Sequence, residues 1–336
     1  MNDTEGVVIK DLTKVYGNLT ALDGLSLTLQ SGQILGLIGH NGAGKTTAIK
    51  ILVGLARATS GSARIAGCDC IAQPKRIKRL VGYMPDQFGS YDNMRVWEYL
   101  DFFGAAFGIR RSKRVKRIDE VMEMTGATYM RDRFVESLSH GMKQRVGIAR
   151  ILLHDPHVLI LDEPANGLDP EARIEMRQIL LHLAALGKTL IVTSHILPEL
   201  SRICDRVAIL NRGRLEAFGT LAEIMESVNE QRTVEVQLAG ETNIGRTSEI
   251  IRQHIDADST ISESPSEAAV RFRTSKSETE MGHLLAQLVT EKIDVTQFRE
   301  LQSDLEDAFL SVTRKPQGSD DCAEPKDVVE QQGTGE

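Results

Sequence analysis

The chain has 336 residues, 41% of them apolar, enough for one large domain and a small one around a buried core. A net charge of −7 and an aromatic share of 4% argue against a nucleic-acid partner, which needs a basic surface, with aromatic platforms where single strands bind. Cys68, Cys70, Cys204 and Cys322 form no disulfide pattern, and Cys68-Asp69-Cys70 is too short and isolated for a zinc site, so they read as reduced thiols. The N-terminal text MNDTEGVVIKDL lacks the basic and apolar regions of a signal peptide. No apolar run approaches the ~20 residues of a membrane span, so the expectation is a cytoplasmic chain that borrows any membrane role from a partner.

In chain order, residues 33–38 (QILGLI) predict a buried strand that feeds a helix over 44–54. From about 95 to 150 the pattern is almost purely helical, a subdomain interrupting a sheet. VLILD (158–162) and TLIVTS (189–194) are continuous apolar runs rich in branched residues, separated by a helix over 171–186. Strand, helix, strand with buried strands implies a parallel sheet. VAILNRGRLEAFG (207–219) reads as a hairpin about an Asn-Arg-Gly turn. Beyond about 228 the texture changes to alternating strands at 233–240, 268–274 and 294–300, with helices at 247–255, 277–290 and 302–313. The expected organisation is a large α/β domain over 5–228, a small α+β accessory domain over 232–313 and a disordered acidic tail over 315–336.

GHNGAGKT (39–46) fits G-x-x-x-x-G-K-[ST] and has a strand before it and a helix after it. In such a loop successive backbone N–H groups, aided by the helix N-terminus, cradle phosphate oxygens. Gly42 and Gly44 let the backbone approach; Lys45 brings a point charge to the β- and γ-phosphates; the Thr46 hydroxyl can ligate Mg²⁺. The nucleotide-binding set is thus Gly39, His40, Asn41, Gly42, Ala43, Gly44, Lys45, Thr46 and Thr47. VLILDEP (158–164) ends a buried strand in two carboxylates: Asp162 can hold Mg²⁺ through water, and Glu163, projecting differently, can polarise a water aimed at the γ-phosphate.

These motifs together resemble the nucleotide-binding subunits of ABC transporters, and most closely the single-domain ATPases that pair with ABC-2-type export permeases. The resemblance covers roughly residues 5–225. It implies an α/β fold, a P-loop NTPase of ABC type with a mixed sheet, antiparallel β elements and a helical subdomain, beside the small C-terminal module. It also implies an ATPase with ATP and Mg²⁺ as ligands, paired with a second copy or a homologous subunit. That pair would drive a separate multi-span permease from the inner face of the membrane. By the same resemblance Tyr16 stacks on adenine, unless it is a core residue, and His195 is the switch histidine at the γ-phosphate, unless it merely closes a strand. Asp169, in NGLDP (166–170), belongs to the dimer seam.

Two places depart from the family's pattern. YMPDQ (83–87) puts Asp86 where a glutamine is usual, with Gln87 next, so either Asp86 or Gln87 is the oxygen ligand near Mg²⁺. LSHGM (138–142) has His140 in place of a glycine and Met142 in place of a glutamine. The family's trans contact to the partner's ATP needs Ser139, Gly141 and the following helix start, all present, so the loop reads as functional with altered edges. The rival class, a soluble ATPase serving as adaptor or mechanochemical switch outside transport, fits a single phosphate loop less well when it acts on ribosomes or DNA. RRSKRVKR (110–117) is expected either to be a solvated helix start offset by Asp119, Glu120 and Glu123, or to contact anionic lipid.

Overall fold

The computed structural model describes residues 5–86, 93–194, 200–228, 232–240, 243–255 and 261–301, with the single positions 89 and 259. Its centre is a six-stranded sheet in the order β10-β9-β3-β8-β7-β6, formed by β3 (Ile34–Ile38), β6 (Val81–Met84), β7 (Val158–Leu161), β8 (Thr189–Thr193), β9 (Arg206–Asn211) and β10 (Arg214–Gly219). All pairings are parallel except the β9–β10 hairpin. Every residue of β3, β7 and β8 is buried, which explains why these strands are unbroken apolar runs and not alternating ones.

Alternation along these strands still sorts side chains between two cores. Ile34, Ile38, Leu159, Leu161, Leu190 and Val192 face a layer that includes α3 (Val96–Ala106), α4 (Arg111–Met124), α5 (His140–Leu152) and α6 (Pro170–Ala185). Leu35, Leu37, Val158, Ile160 and Ile191 face the opposite way, onto α1 (Lys45–Leu52), α2 (Pro74–Leu80) and a second, antiparallel sheet. That sheet, ordered β2-β1-β4-β5, is built from β1 (Glu5–Tyr16), β2 (Leu19–Gln30), β4 (Ser60–Ile65) and β5 (Cys68–Asp69). Cys68 and Cys70 are buried in this layer, and burial pushes the Cys70 thiol up to about 12.

After α7 (Leu221–Val228) comes a third sheet with its own core: β11 (Arg232–Leu238), α8 (Ile244–His254), β12 (Ile261–Ser264), β13 (Ala269–Thr274), α9 (Glu278–Thr290) and β14 (Val295–Leu301). The strand order β12-β13-β11-β14, all antiparallel, is the split β-α-β-β-α-β arrangement. β12 has no counterpart among the expected strands, since Ile-Ser-Glu-Ser carries too little apolar character to signal one. The expected helix over 302–313 and the tail from 315 lie outside the described residues. Among the described residues no helix is long and apolar enough to cross a membrane.

The basic run corrects one expectation. Arg114 and Arg117 turn inward: Arg114 forms a bidentate pair with Asp101 at 2.6 and 3.0 Å, and Arg117 donates to the carbonyls of Leu152 and Leu153 and pairs with Asp155 and Glu120. Of the acids expected to offset the run, Glu120 does so, whereas Asp119 pairs with Arg131. Arg110, Arg111, Lys113 and Lys116 remain exposed.

Candidate nucleotide site

The phosphate loop runs from the end of β3 into α1. Gly42 and Gly44 have φ of 84° and 104°, values that L side chains rarely adopt. Gly44 has a further constraint: a Cβ there would stand 2.6 Å from the Ala21 carbonyl oxygen and 2.9 Å from Leu22. The loop is therefore packed against β2, and the glycine is needed by that contact as much as by the phosphates. Gly39 is similar, since a Cβ would meet the Leu210 carbonyl oxygen at 2.6 Å.

Lys45 is buried, and its ammonium donates to the carbonyls of Gly39 at 2.5 Å and His40 at 3.2 Å. Burial pulls its pKa down, and the nearby Glu163 and Asp162 carboxylates pull it back up. The loop carbonyls thus hold the cation at the loop's centre, close to the two acids, in position for an incoming polyphosphate.

Asp162 and Glu163 follow β7 directly, and one side chain organises both. The Thr193 hydroxyl, fully buried at the end of β8, donates to Asp162 Oδ1 at 2.6 Å and accepts the Glu163 N–H at 2.9 Å. Glu163 sits at φ 52°, a left-handed conformation that costs a non-glycine residue about 1 kcal/mol or more. This turn explains why adjacent carboxylates project differently. Tyr83 on β6 also feels the site: burial first, and the Asp162 charge second, raise its phenol to about 12.

One open cleft of about 840 Å³ is lined by Tyr16, Leu19, Thr20 and Ala21, by every residue from His40 to Thr47, and by Asp86, Asp162, Glu163 and Arg212. Tyr16 is 46% exposed, so it is not a core residue, and the Lys14 ammonium lies 4.5 Å from its ring centroid. Asp86 is in the cleft; Gln87 and His195 lie outside the described residues. Thr193 and Arg212, together with Leu19, Thr20 and Ala21 of the cleft lining, are site residues that sequence reading misses. Thr193 was hidden inside an apolar strand, and Arg212 inside a turn whose composition signals only a hairpin.

Ser139, His140, Gly141 and Asp169 do not line this cleft. They form a separate constellation where two helices start. Ser139 caps α5, its hydroxyl accepting the Met142 N–H at 3.4 Å, and Asp169 caps α6, its carboxylate accepting the Ala172 N–H at 2.8 Å. His140 Nε2–H donates to the Asn166 carbonyl at 3.0 Å, and Gln144 Nε2 lies 3.4 Å from the same ring nitrogen. The imidazole is therefore turned onto its own chain's 166–170 loop.

A model of the ABC transporter family matches residues 22–166. The linearmycin resistance ATP-binding protein LnrL of Bacillus subtilis is 30% identical over 304 residues, covering 90% of this chain and 97% of that protein. The chain belongs to the ATP-binding proteins of ABC transporters. Nod factor export ATP-binding protein I of Ralstonia nicotianae is 38% identical over 218 residues, covering 65% of this chain and 68% of that one. The chain spans 63% of the length of an ABC transporter ATP-binding protein of Synechocystis, at 40% identity over 224 residues, 64% of this chain. The solved ATP-binding subunit of an ABC transporter superposes with a TM-score of 0.60 at 31% identity, over 66% of this chain and 92% of that one. As a member of this family the chain is an ATPase. The cleft with the phosphate loop and the Asp162–Glu163 pair is the candidate site for the nucleotide.

Proposed function

We propose that this chain is the energy-supplying subunit of an exporter. It works as a head-to-tail pair with a second copy or a homologous chain, on the inner face of a membrane, beneath a separate multi-span permease. Export is favoured by the likeness to a relative whose name is that of an export ATP-binding protein.

The observation that carries the hydrolytic reading is the Thr193 clamp on two strand-end carboxylates beside Lys45. Glu163, held at φ 52°, takes a proton from the water that attacks the γ-phosphorus, while the bond to the bridging oxygen breaks and ADP leaves. Lys45 and the loop N–H groups hold the phosphates, and Tyr16 offers its exposed ring to the base. The Thr46 hydroxyl, Asp162 and Asp86 are hard oxygen donors on one cleft, and that set suits Mg²⁺, which takes one or two protein ligands alongside phosphate and water and needs no all-protein cage. Bound Mg²⁺ would neutralise charge on the β- and γ-phosphate oxygens.

In the pair, Ser139, Gly141 and the start of α5 face the partner's ATP, with Asp169 at the seam. His140 belongs to the same set, and its hydrogen bond to the Asn166 carbonyl ties this loop to the 166–170 loop. His195 is proposed as the γ-phosphate switch by family likeness alone. The third sheet and its helices form an accessory domain without catalytic groups.

Glu163→Gln tests the central assignment. It should keep ATP affinity, lower turnover by at least about a hundredfold, and trap an ATP-bound pair visible by size-exclusion chromatography. Turnover at the parental rate would remove Glu163 as the base.

A further inference from the structure

We infer that Arg212 is a nucleotide-binding residue, a second side-chain cation that meets the ribose and α-phosphate end of the nucleotide from the β9–β10 turn. The inference rests on ATP occupying the cleft described above.

The first ground is charge. The cleft walls carry three carboxylates, Asp86, Asp162 and Glu163, against two side-chain cations, Lys45 and Arg212. Lys45 is already flanked by Asp162 and Glu163. Without Arg212, a polyphosphate would enter a cleft whose acids outnumber its side-chain cations three to one. The neighbouring cation on the hairpin is committed elsewhere, since Arg214 pairs with Asp23 at 2.8 Å. Arg212 is exposed and makes no ion pair or hydrogen bond among the described residues.

The second ground is how firmly the turn is held. The Gly213 N–H donates to the Ala43 carbonyl of the phosphate loop at 3.0 Å, and the Asp23 N–H donates to the Gly213 carbonyl at 2.9 Å. A Cβ on Gly213 would stand 2.9 Å from the Ala21 carbonyl oxygen. Arg212 is therefore one residue from a hydrogen bond to the loop that holds the phosphates, and its backbone cannot drift away from it. The pinning also decides which end it meets. The turn abuts Ala21 and Ala43; Ala21 lines the cleft together with Tyr16, Leu19 and Thr20, whereas Asp162 and Glu163 act on Lys45.

The third ground is the backbone. Arg212 has φ 46°, where glycine or asparagine is easily accommodated and a long side chain is strained. The turn by itself asks for a smaller residue, so the arginine is explained by its side chain's destination and not by the hairpin.

The test is calorimetric titration of the full chain with ATP and with ADP, each with Mg²⁺, for wild type, Arg212→Ala, Arg212→Gly, Arg212→Lys and Lys45→Ala. An arginine serving the α-phosphate end cannot distinguish the two nucleotides. Arg212→Ala and Arg212→Gly should therefore weaken both by the same factor, about fivefold for a partly solvated charge-assisted hydrogen bond. Arg212→Lys should recover part of the loss. Arg212→Gly should melt at or above the wild-type temperature, because glycine relieves φ 46°, so its weaker binding cannot come from unfolding. If Lys45→Ala leaves ATP affinity as in wild type, the cleft is not the nucleotide site, and the inference falls with that reading. If Lys45→Ala abolishes binding while the Arg212 variants bind as tightly as wild type, or lose ATP alone, the cleft reading stands and the role of Arg212 is refuted.

Discussion

Thr193→Val removes one hydroxyl and leaves the shape of a fully buried side chain almost unchanged. Two hydrogen bonds disappear with it, the donation to Asp162 at 2.6 Å and the acceptance of the Glu163 N–H at 2.9 Å. The first is made to a charged acceptor; losing the second strands a partly buried donor. Together these would exceed 2 kcal/mol in a dry interior, but Asp162 and Glu163 are only half-buried and water can replace part of each, so about 2 kcal/mol of stability should be lost. The catalytic cost should be larger than the structural one. With its N–H released, the left-handed turn at Glu163 is no longer held, and a carboxylate displaced by about 1 Å can lose on the order of a hundredfold in rate. The assays are urea unfolding for stability, steady-state phosphate release for turnover, and nucleotide titration for affinity. The last should change little, because the phosphate loop keeps all its contacts. Thr193→Ser, which keeps the hydroxyl, should restore most of both losses. A Val variant with parental turnover and an unshifted urea midpoint would refute the clamp.

His154 is half-buried against a stacked Phe107 ring, 4.3 Å between centroids, and its Nε2–H donates to the Val81 carbonyl. Burial holds its pKa below the usual 6.5, so the unfolded chain binds a proton first, and stability should fall as pH drops through about 6.5; His154→Gln should flatten that fall between pH 7.5 and 5.5 in urea titrations. Neutralising the exposed Arg110, Arg111, Lys113 and Lys116 should abolish any salt-sensitive binding to vesicles containing anionic lipid. Replacing Arg114 should instead lower the melting temperature, and vesicle binding that survives the fourfold variant would contradict a lipid role for the run. In mixed dimers, Lys45→Ala in one subunit with Ser139→Ala in the other should ruin one nucleotide site and spare the second; equal damage at both sites would refute action in trans.

Local signals read correctly where residue type and spacing answer to one demand. The phosphate loop needs its glycines and its lysine in order, and the buried strands need unbroken apolar runs, so both were legible. β1 and β2 were not, because register shifts between Ile9 and Leu12 and again near Lys14 break the two-residue period on which strand reading depends. The offset of the basic run is only partly legible, because neighbours in sequence need not be partners in space: Arg114 finds Asp101 across a helix–helix contact and Asp119 finds Arg131. Thr193 and Arg212 become functional only through packing that brings β7 to β8 and the hairpin to the phosphate loop, which no spacing along the chain encodes.

The imidazole of His140 makes the signature loop a non-interchangeable part. Grafting the two-glycine version from a relative would keep the anion-binding backbone of α5 yet cut its hydrogen bond to the Asn166 carbonyl. Among the ties that would remain between the two helices are the Arg145–Glu175 ion pair and the close fit of Gly141 against Ala172. A chimera built on motif matching alone would thus inherit a looser joint between the loop proposed to face a partner and the loop proposed to lie at the seam. Its defect would show in how the two halves keep time with each other, while each bound nucleotide normally.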